Sequence, residues 1–251
     1  MGSSGKNSGE ETYQGLSDDI VSKMYPDEKY PETAWFRDHS NLSEWSMGLN
    51  NDEYISIKEY TGLDYDDLNT AQYTIPWEDM DDYQKKNISD LHNALSGFEL
   101  NKGIIVNRAC DFKIFGAGED DTMSMSEVRN FLKQSDGVVQ NNGFMSFSTK
   151  PDGHAVDGTG IVIKLKIPPS VGAGAFIAPF SYHQNEKEFL LNNNAVLKFD
   201  YDHMYGDSKG NIVIPADWLG TEQAQTISPT YNGIKLTGKG VRKGKSKKSK
   251  S

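Results

Sequence analysis

Four short segments of this 251-residue chain bring together residue types that can do chemistry. In order they are Tyr60-Thr61-Gly62-Leu63-Asp64-Tyr65-Asp66-Asp67-Leu68-Asn69, the β-branched run Gly103-Ile104-Ile105-Val106-Asn107-Arg108, the stretch Gly143-Phe144-Met145-Ser146-Phe147-Ser148, and Glu186-Lys187-Glu188-Phe189-Leu190-Leu191. They offer a guanidinium able to grip an anion, hydroxyls able to orient a neighbour, and two carboxylates two residues apart. Each segment alone is ordinary: an arginine closing a strand is usually a surface charge, Ser-Phe-Ser a plain strand, and Glu-Lys-Glu a solvated run. Other signatures fail on spacing. The stretch from Gly238 to Ser246 mimics a phosphate-binding loop, but Lys239 stands where its first glycine belongs. Gly116-Ala117-Gly118 and Gly172-Ala173-Gly174 lack the third glycine of a dinucleotide fingerprint. Asp200-Tyr201-Asp202-His203-Met204 begins like a calcium loop, yet Met204 supplies no oxygen ligand. The five histidines fall in no metal-ligand spacing.

Helices must position the first segment and strands the other three. Apolar residues at 16, 20, 21 and 24 trace a helical stripe, with Ser17 as a cap. Further helices are expected over residues 51–60, with Tyr54, Ile57 and Tyr60 on one face, and over 77–95, with Asp79, Asp81 and Asp82 in the first turn. After Leu100 the texture changes to brief strand-like runs at 103–108, 143–149, 160–167, 174–177, 188–191, 195–201 and 211–214, with one short helix at 126–134 capped by Ser124 or Ser126. Ile161, Ile163, Leu165 and Ile167 alternate with Val162, Lys164 and Lys166, which turns one face to a core. Helices first and strands afterwards indicate an α+β fold rather than a doubly wound sheet. Length and composition suit one domain, residues 16–236 (helical to 100, mostly strands from 101), between disordered ends at 1–15 and 237–251.

Composition narrows the function. The net charge is −10, but the last thirteen residues hold seven basic side chains and no acid, so the rest carries −17. Such a body repels phosphate over most approaches, which leaves nucleic-acid contact only to the tail at 239–251. Cys110, the sole cysteine, excludes an internal disulfide and a cysteine-based zinc site, and reads as a small core residue. The start has no apolar run of signal-peptide type, and no stretch is apolar enough to span a bilayer. The expectation is a protein acting in the cytosol of the producing cell, or of a target cell to which a signal-independent route carries it.

The order and separation of the four segments carry a resemblance. Over residues 45–202 the chain resembles the arginine–serine–glutamate class of mono-ADP-ribosyltransferases, which includes binary actin-modifying toxins, C3-like exoenzymes and phage or bacterial relatives. The resemblance implies a split, strongly curved β-sandwich with flanking helices and an NAD cleft between its sheets. It further implies that NAD is the substrate, that no metal is needed, and that breaking the nicotinamide–ribose bond passes through an oxocarbenium-like transition state. By the same resemblance Arg108 grips the diphosphate, Ser146 orients a carboxylate, and Glu188 binds the ribose and stabilises the developing cation. Ser148 joins the nucleotide-binding set, Tyr65 and Asn69 help frame the nucleotide with Tyr60 beside them, and Tyr182 meets the target protein. Glu186 in the first acidic position implies an arginine acceptor on that protein. Two departures stand out. Phe147 replaces the usual middle Thr, and the loop 149–160 holds no second phosphate-binding Arg, leaving Lys150 or Lys164 to substitute. The rival readings are an NAD glycohydrolase, with water as acceptor, and a virion-associated structural protein carrying this domain.

Overall fold

The computed structural model of the chain describes residues 14–16, 18–115, 122–151, 160–221 and 234–236. The basic tail with its nucleic-acid expectation, the N-terminal segment up to residue 13, Gly116-Ala117-Gly118 and most of the 149–160 loop lie outside them. Helices α1 (Asp18–Met24), α2 (Pro31–His39), α3 (Leu42–Gly48), α4 (Asn51–Glu59), α5 (Tyr65–Thr74) and α6 (Asp82–Ser96) precede the long strands, and α7 (Met125–Lys133) lies among them. Their starts are written locally. Pro31 takes a first-turn position of α2, where its missing N–H costs nothing. Asn50 with Glu53, Asp81 with Gln84, and Ser124 with Glu127 form reciprocal capping boxes on α4, α6 and α7.

The strands are β1 (Gln14–Gly15), β2 (Glu99–Leu100), β3 (Ile104–Cys110), β4 (Val138–Asn141), β5 (Met145–Ser148), β6 (Ile161–Ile167), β7 (Ser170–Val171), β8 (Gly174–Phe176), β9 (Glu188–Leu191), β10 (Ala195–Phe199), β11 (Tyr205–Gly206), β12 (Ile212–Thr221) and β13 (Ile234–Leu236). The main sheet runs β13-β4-β10-β12-β6-β3-β5-β9-β8. Its pairings are antiparallel except β12 with β6 and β1 with β3. Strand β3 pairs with β6 along its whole length but meets β5 at one position, Asn107 opposite Ser148. At that seam the sheet divides into a larger part ending at β3 and a smaller one of β5, β9 and β8. This is an α+β fold with a split sheet.

The helices cover the smaller part through aromatic packing. Phe36 of α2 stacks on Phe176 of β8 at 4.1 Å, and Phe98 meets Trp45 edge-on at 5.2 Å. The Trp45 indole donates to Ala94 O at 2.6 Å, so its polar end is satisfied inside the core. One contiguous apolar cluster runs from Leu16 to Ala216.

Some expectations need correction. The helix expected over 77–95 begins only at Asp82, because Met80 is extended and Asp81 serves as the N-cap of α6; Trp77–Asp79 is a separate 3-10 turn. Helix α4 stops at Glu59, and Tyr60 opens a π-helical turn, Tyr60–Asp64, that leads into α5. Tyr54 does not share a buried face with Ile57 and Tyr60; it is exposed. Strand β3 continues past Arg108 to Cys110. Helices α2 and α3 and strand β4 had no clear periodic signal: the buried residues of α2, Glu32 and Ala34-Trp35-Phe36, are partly charged and mostly consecutive, and α3 buries only Leu42 and Trp45.

Candidate active site

The seam gathers the catalytic candidates. Arg108 lies one residue beyond the Asn107–Ser148 pair, and its guanidinium crosses the gap to donate to Ser146 O at 2.7 Å. Ser146 Oγ donates to Glu188 Oε1 at 2.5 Å. The two residues are diagonal neighbours across β5 and β9, since Ser146 lies opposite Leu190 and Ser148 opposite Glu188. The alternation of strand side chains explains Phe147: it lies opposite Phe189 on the other face, and both rings are buried in the core. The departure from Thr therefore leaves the face that carries Ser146 and Glu188 untouched. Ser148 Oγ is turned to the backbone, donating to Glu186 O at 2.7 Å and accepting from Lys150 N at 3.1 Å. It holds the approach to Glu188 in place.

Glu188 is only 6% exposed. Burial pushes its carboxyl up to about 7; the Ser146 hydrogen bond opposes this, Glu186 adds to it, and Arg108 and His183 pull the other way. Glu186, two residues earlier, is exposed. It ends the 3-10 turn Gln184–Glu186, and Lys187 after it adopts a left-handed conformation with φ 53° and ψ 48°. The backbone reverses between the two carboxylates, so they do not share a face as they would on a regular strand. Tyr182, earlier in the same loop, is 64% exposed. Its N–H donates to Thr61 Oγ1 at 3.3 Å, and its ring packs against Gly62 with the Lys58 ammonium 4.1 Å from its centroid.

A second wall comes from the first segment. Asn69 of α5 donates to the Tyr60 hydroxyl at 3.0 Å and accepts from Phe144 N at 2.9 Å, joining the helix to the start of β5. Tyr60 is buried, with its ring edge-on to Phe144, and burial together with the Glu188 charge raises its phenol pKa. Tyr60 thus meets the site from behind, while Tyr65 stands exposed on the first turn of α5. Of the two stand-in cations, Lys164 lies on β6 with its ammonium 5.8 Å from the Tyr205 ring centroid, and Lys150 follows the Ser148 strand end. Sequence reasoning assigned no role to Gly143, Tyr73, His183 or Glu32. A Cβ on Gly143 would sit 2.6 Å from the Tyr73 ring and 2.7 Å from Asn69 Oδ1, so glycine permits the Asn69 contact. A lone glycine before a strand gives no local sign of that. Cys110 packs against the core as expected, and burial pushes its thiol up to about 12.

The family model for ADP-ribosyltransferase exoenzymes matches residues 32–219, and the chain belongs to that family. Solved structures share the fold. Plx2a, an ADP-ribosyltransferase toxin from Paenibacillus larvae, is 20% identical with a TM-score of 0.65, over 83% of this chain and 100% of its own. An ADP-ribosyltransferase from Clostridium botulinum is 19% identical with a TM-score of 0.64, over 82% of this chain and 98% of its own. BECa, the ADP-ribosylating toxin of a binary enterotoxin of C. perfringens solved with NADH, is 19% identical with a TM-score of 0.63; the match covers 83% of this chain and 50% of that one. No curated protein sequence matches the chain. Among the described residues no group of three or more His, Cys, Asp or Glu is placed to hold a metal ion, and no helix is long and apolar enough to cross a membrane.

Proposed function

We propose that this chain transfers ADP-ribose from NAD to an arginine side chain of a target protein, releasing nicotinamide. The observation that carries the reading is the Ser146–Glu188 hydrogen bond at the seam, beside the Arg108 guanidinium. These residues fit the dinucleotide chemically. Arg108 has five N–H donors, and the contact to Ser146 uses one of its terminal nitrogens, so a fork remains for the diphosphate. Glu188, fixed in direction by Ser146, presents a carboxylate to the ribose hydroxyl and to the carbon that becomes positive as the bond to nicotinamide breaks. The bonding pair leaves with the nicotinamide nitrogen, and an acceptor nitrogen then closes on the ribose carbon. Preorganised charge of this kind acts most strongly where water is excluded, which is where Glu188 sits. Glu186, outside the cleft on its turn, is suited to orient the incoming guanidinium and take its proton. Without an acceptor, water replaces it and the same residues hydrolyse NAD.

Incubation with labelled NAD and a cell lysate, followed by mass spectrometry of labelled proteins, tests the reading. ADP-ribose on arginine is expected. Label on another residue type overturns the acceptor, and absence of nicotinamide release overturns the transferase.

The site also sets a pH dependence. Only ionised Glu188 stabilises a cation, and its folded-state pKa is raised to about 7, so kcat/KM for NAD falls about tenfold per unit as pH drops below that value. Because the Glu186 charge adds to the raised pKa, Glu186→Gln moves the acid limb of the hydrolysis profile to lower pH. A flat profile between about pH 5.5 and 8 contradicts the assignment. Arg108→Lys loses the planar fork that suits a diphosphate; kcat/KM for NAD drops roughly 10- to 100-fold, as expected for a charge-assisted bond. Steady-state kinetics check this, and an unchanged value removes Arg108 from the nucleotide site.

A further inference from the structure

We infer that Lys187, the residue between the two catalytic candidates, and Glu32 of α2 form the positioning element that sends Glu186 outward and Glu188 inward. This rests on the transferase reading. Lys187 Nζ bonds Glu32 Oε1, across 155 positions of sequence. The Glu32 side chain is 4% exposed and that of Lys187 22%. A pair so far removed from water is held only by close geometry, because either charge left alone there is strongly disfavoured. Glu32 also lies in the first turn of α2, where the positive end of the helix dipole favours a carboxylate. The anchor is therefore rigid: a helix end whose next turn carries Trp35 and Phe36, both fully buried in the aromatic core.

This anchor matters because of the backbone it holds. Lys187 adopts left-handed φ and ψ, which a residue with a Cβ avoids unless its surroundings impose them. Its side chain is drawn inward to α2, its N–H donates to Gln184 O at 3.3 Å, and its carbonyl accepts from Thr149 N at 3.1 Å. In an extended conformation at 187, both carboxylates would point to one side. Glu188 has other supports: the β5–β9 ladder, the Ser146 hydroxyl, and its own carbonyl accepting from Ile177 N at 3.0 Å. Glu186 sits on the short turn just before Lys187, where its N–H donates to His183 O at 3.0 Å and its carbonyl accepts from Ser148 Oγ at 2.7 Å, two backbone contacts that do not fix its side chain. Loosening the tether therefore misplaces Glu186 and spares Glu188.

The test compares two rates, ADP-ribosylation of agmatine, a free guanidine, and NAD hydrolysis in its absence, in the full chain. Glu32→Gln and Lys187→Met are each expected to lower the transfer-to-hydrolysis ratio on the order of 10- to 100-fold, with hydrolysis within about threefold of the wild type. Lys187→Arg keeps the pair and restores the ratio; Lys187→Gly relaxes the backbone but lacks the tether, and stays low. Because a single change strands a buried charge, the double variant Glu32→Gln/Lys187→Met removes both and gives a folded protein with the same low ratio. A wild-type ratio in the double variant, or parallel loss of both rates in every variant including Lys187→Arg, overturns the inference. Limited trypsinolysis reads the tether without catalysis: cleavage after Lys187 stays slow in the wild type and accelerates in Glu32→Gln relative to cleavage elsewhere. If the wild type turns over neither reaction, the transferase reading fails, and equal cleavage after Lys187 in both proteins rejects the tether separately.

Discussion

Glu188→Gln abolishes ADP-ribosyl transfer and NAD hydrolysis together, and at the same time makes the fold more stable above neutral pH. The loss of activity is expected at about 10²–10³ in kcat or more, the usual cost of about 2.7–4 kcal/mol for one preorganised electrostatic group. Gln keeps the shape and an oxygen for Ser146 Oγ, so what disappears is the charge. The stability gain comes from the same burial. A carboxyl whose pKa is raised from 4.5 to about 7 on folding binds its proton more tightly in the folded state. Its contribution is most favourable below the unfolded value and is lost as pH rises through 7, leaving the wild type about 3 kcal/mol worse off at pH 8 than with a neutral group. Thermal melting at pH 8 should rise on the order of 5–10 °C in the variant, and the gain should vanish near pH 4.5. Labelled-NAD assays and melts at both pH values measure the two effects. An active variant removes Glu188 from the centre of the reaction; an inactive variant without the pH-dependent gain means the carboxylate is not desolvated.

Glu186→Gln separates the two activities instead. Transfer to arginine falls about 10²-fold, the lower end of what a positioned proton acceptor contributes, while hydrolysis of NAD stays within a few-fold of the wild type. The geometry gives the reason. Glu186 is exposed at the end of its turn and Glu188 is buried, so removing the first charge leaves the Ser146–Glu188 hydrogen bond in place. Agmatine modification and nicotinamide release, measured on one preparation, decide the matter. Equal loss of both would assign Glu186 to NAD chemistry itself and remove the basis for assigning an arginine acceptor.

Much of the molecule is legible in its sequence because the signals are local. Capping pairs such as Ser124 with Glu127 are three residues apart, and the alternation around Phe147 reflects the period of a strand. That alternation alone puts Ser146 and Ser148 on the side opposite Phe147, and the order of helices before strands indicates the α+β class. The spacing of Arg108, Ser146, Glu186 and Glu188 carried the family resemblance. Strand period alone would put both acids of the Glu-Lys-Glu run on one face, and only the family resemblance implied that the first sits on a turn.

Other features arise only when distant segments meet. The seam between β3 and β5 is a single pair, which no pattern inside either strand announces. Lys187 reads as one more surface lysine until α2 brings Glu32 to it, and Gly143 reads as a turn glycine until Tyr73 and Asn69 close on it. The raised pKa of Glu188 is likewise a property of the closed core rather than of its neighbours in sequence. Sequence determined which side chains each element presents, since pleat and helical period act over a few residues. Tertiary structure decided which of them lose water and find a charged partner, because desolvation depends on everything packed around a group.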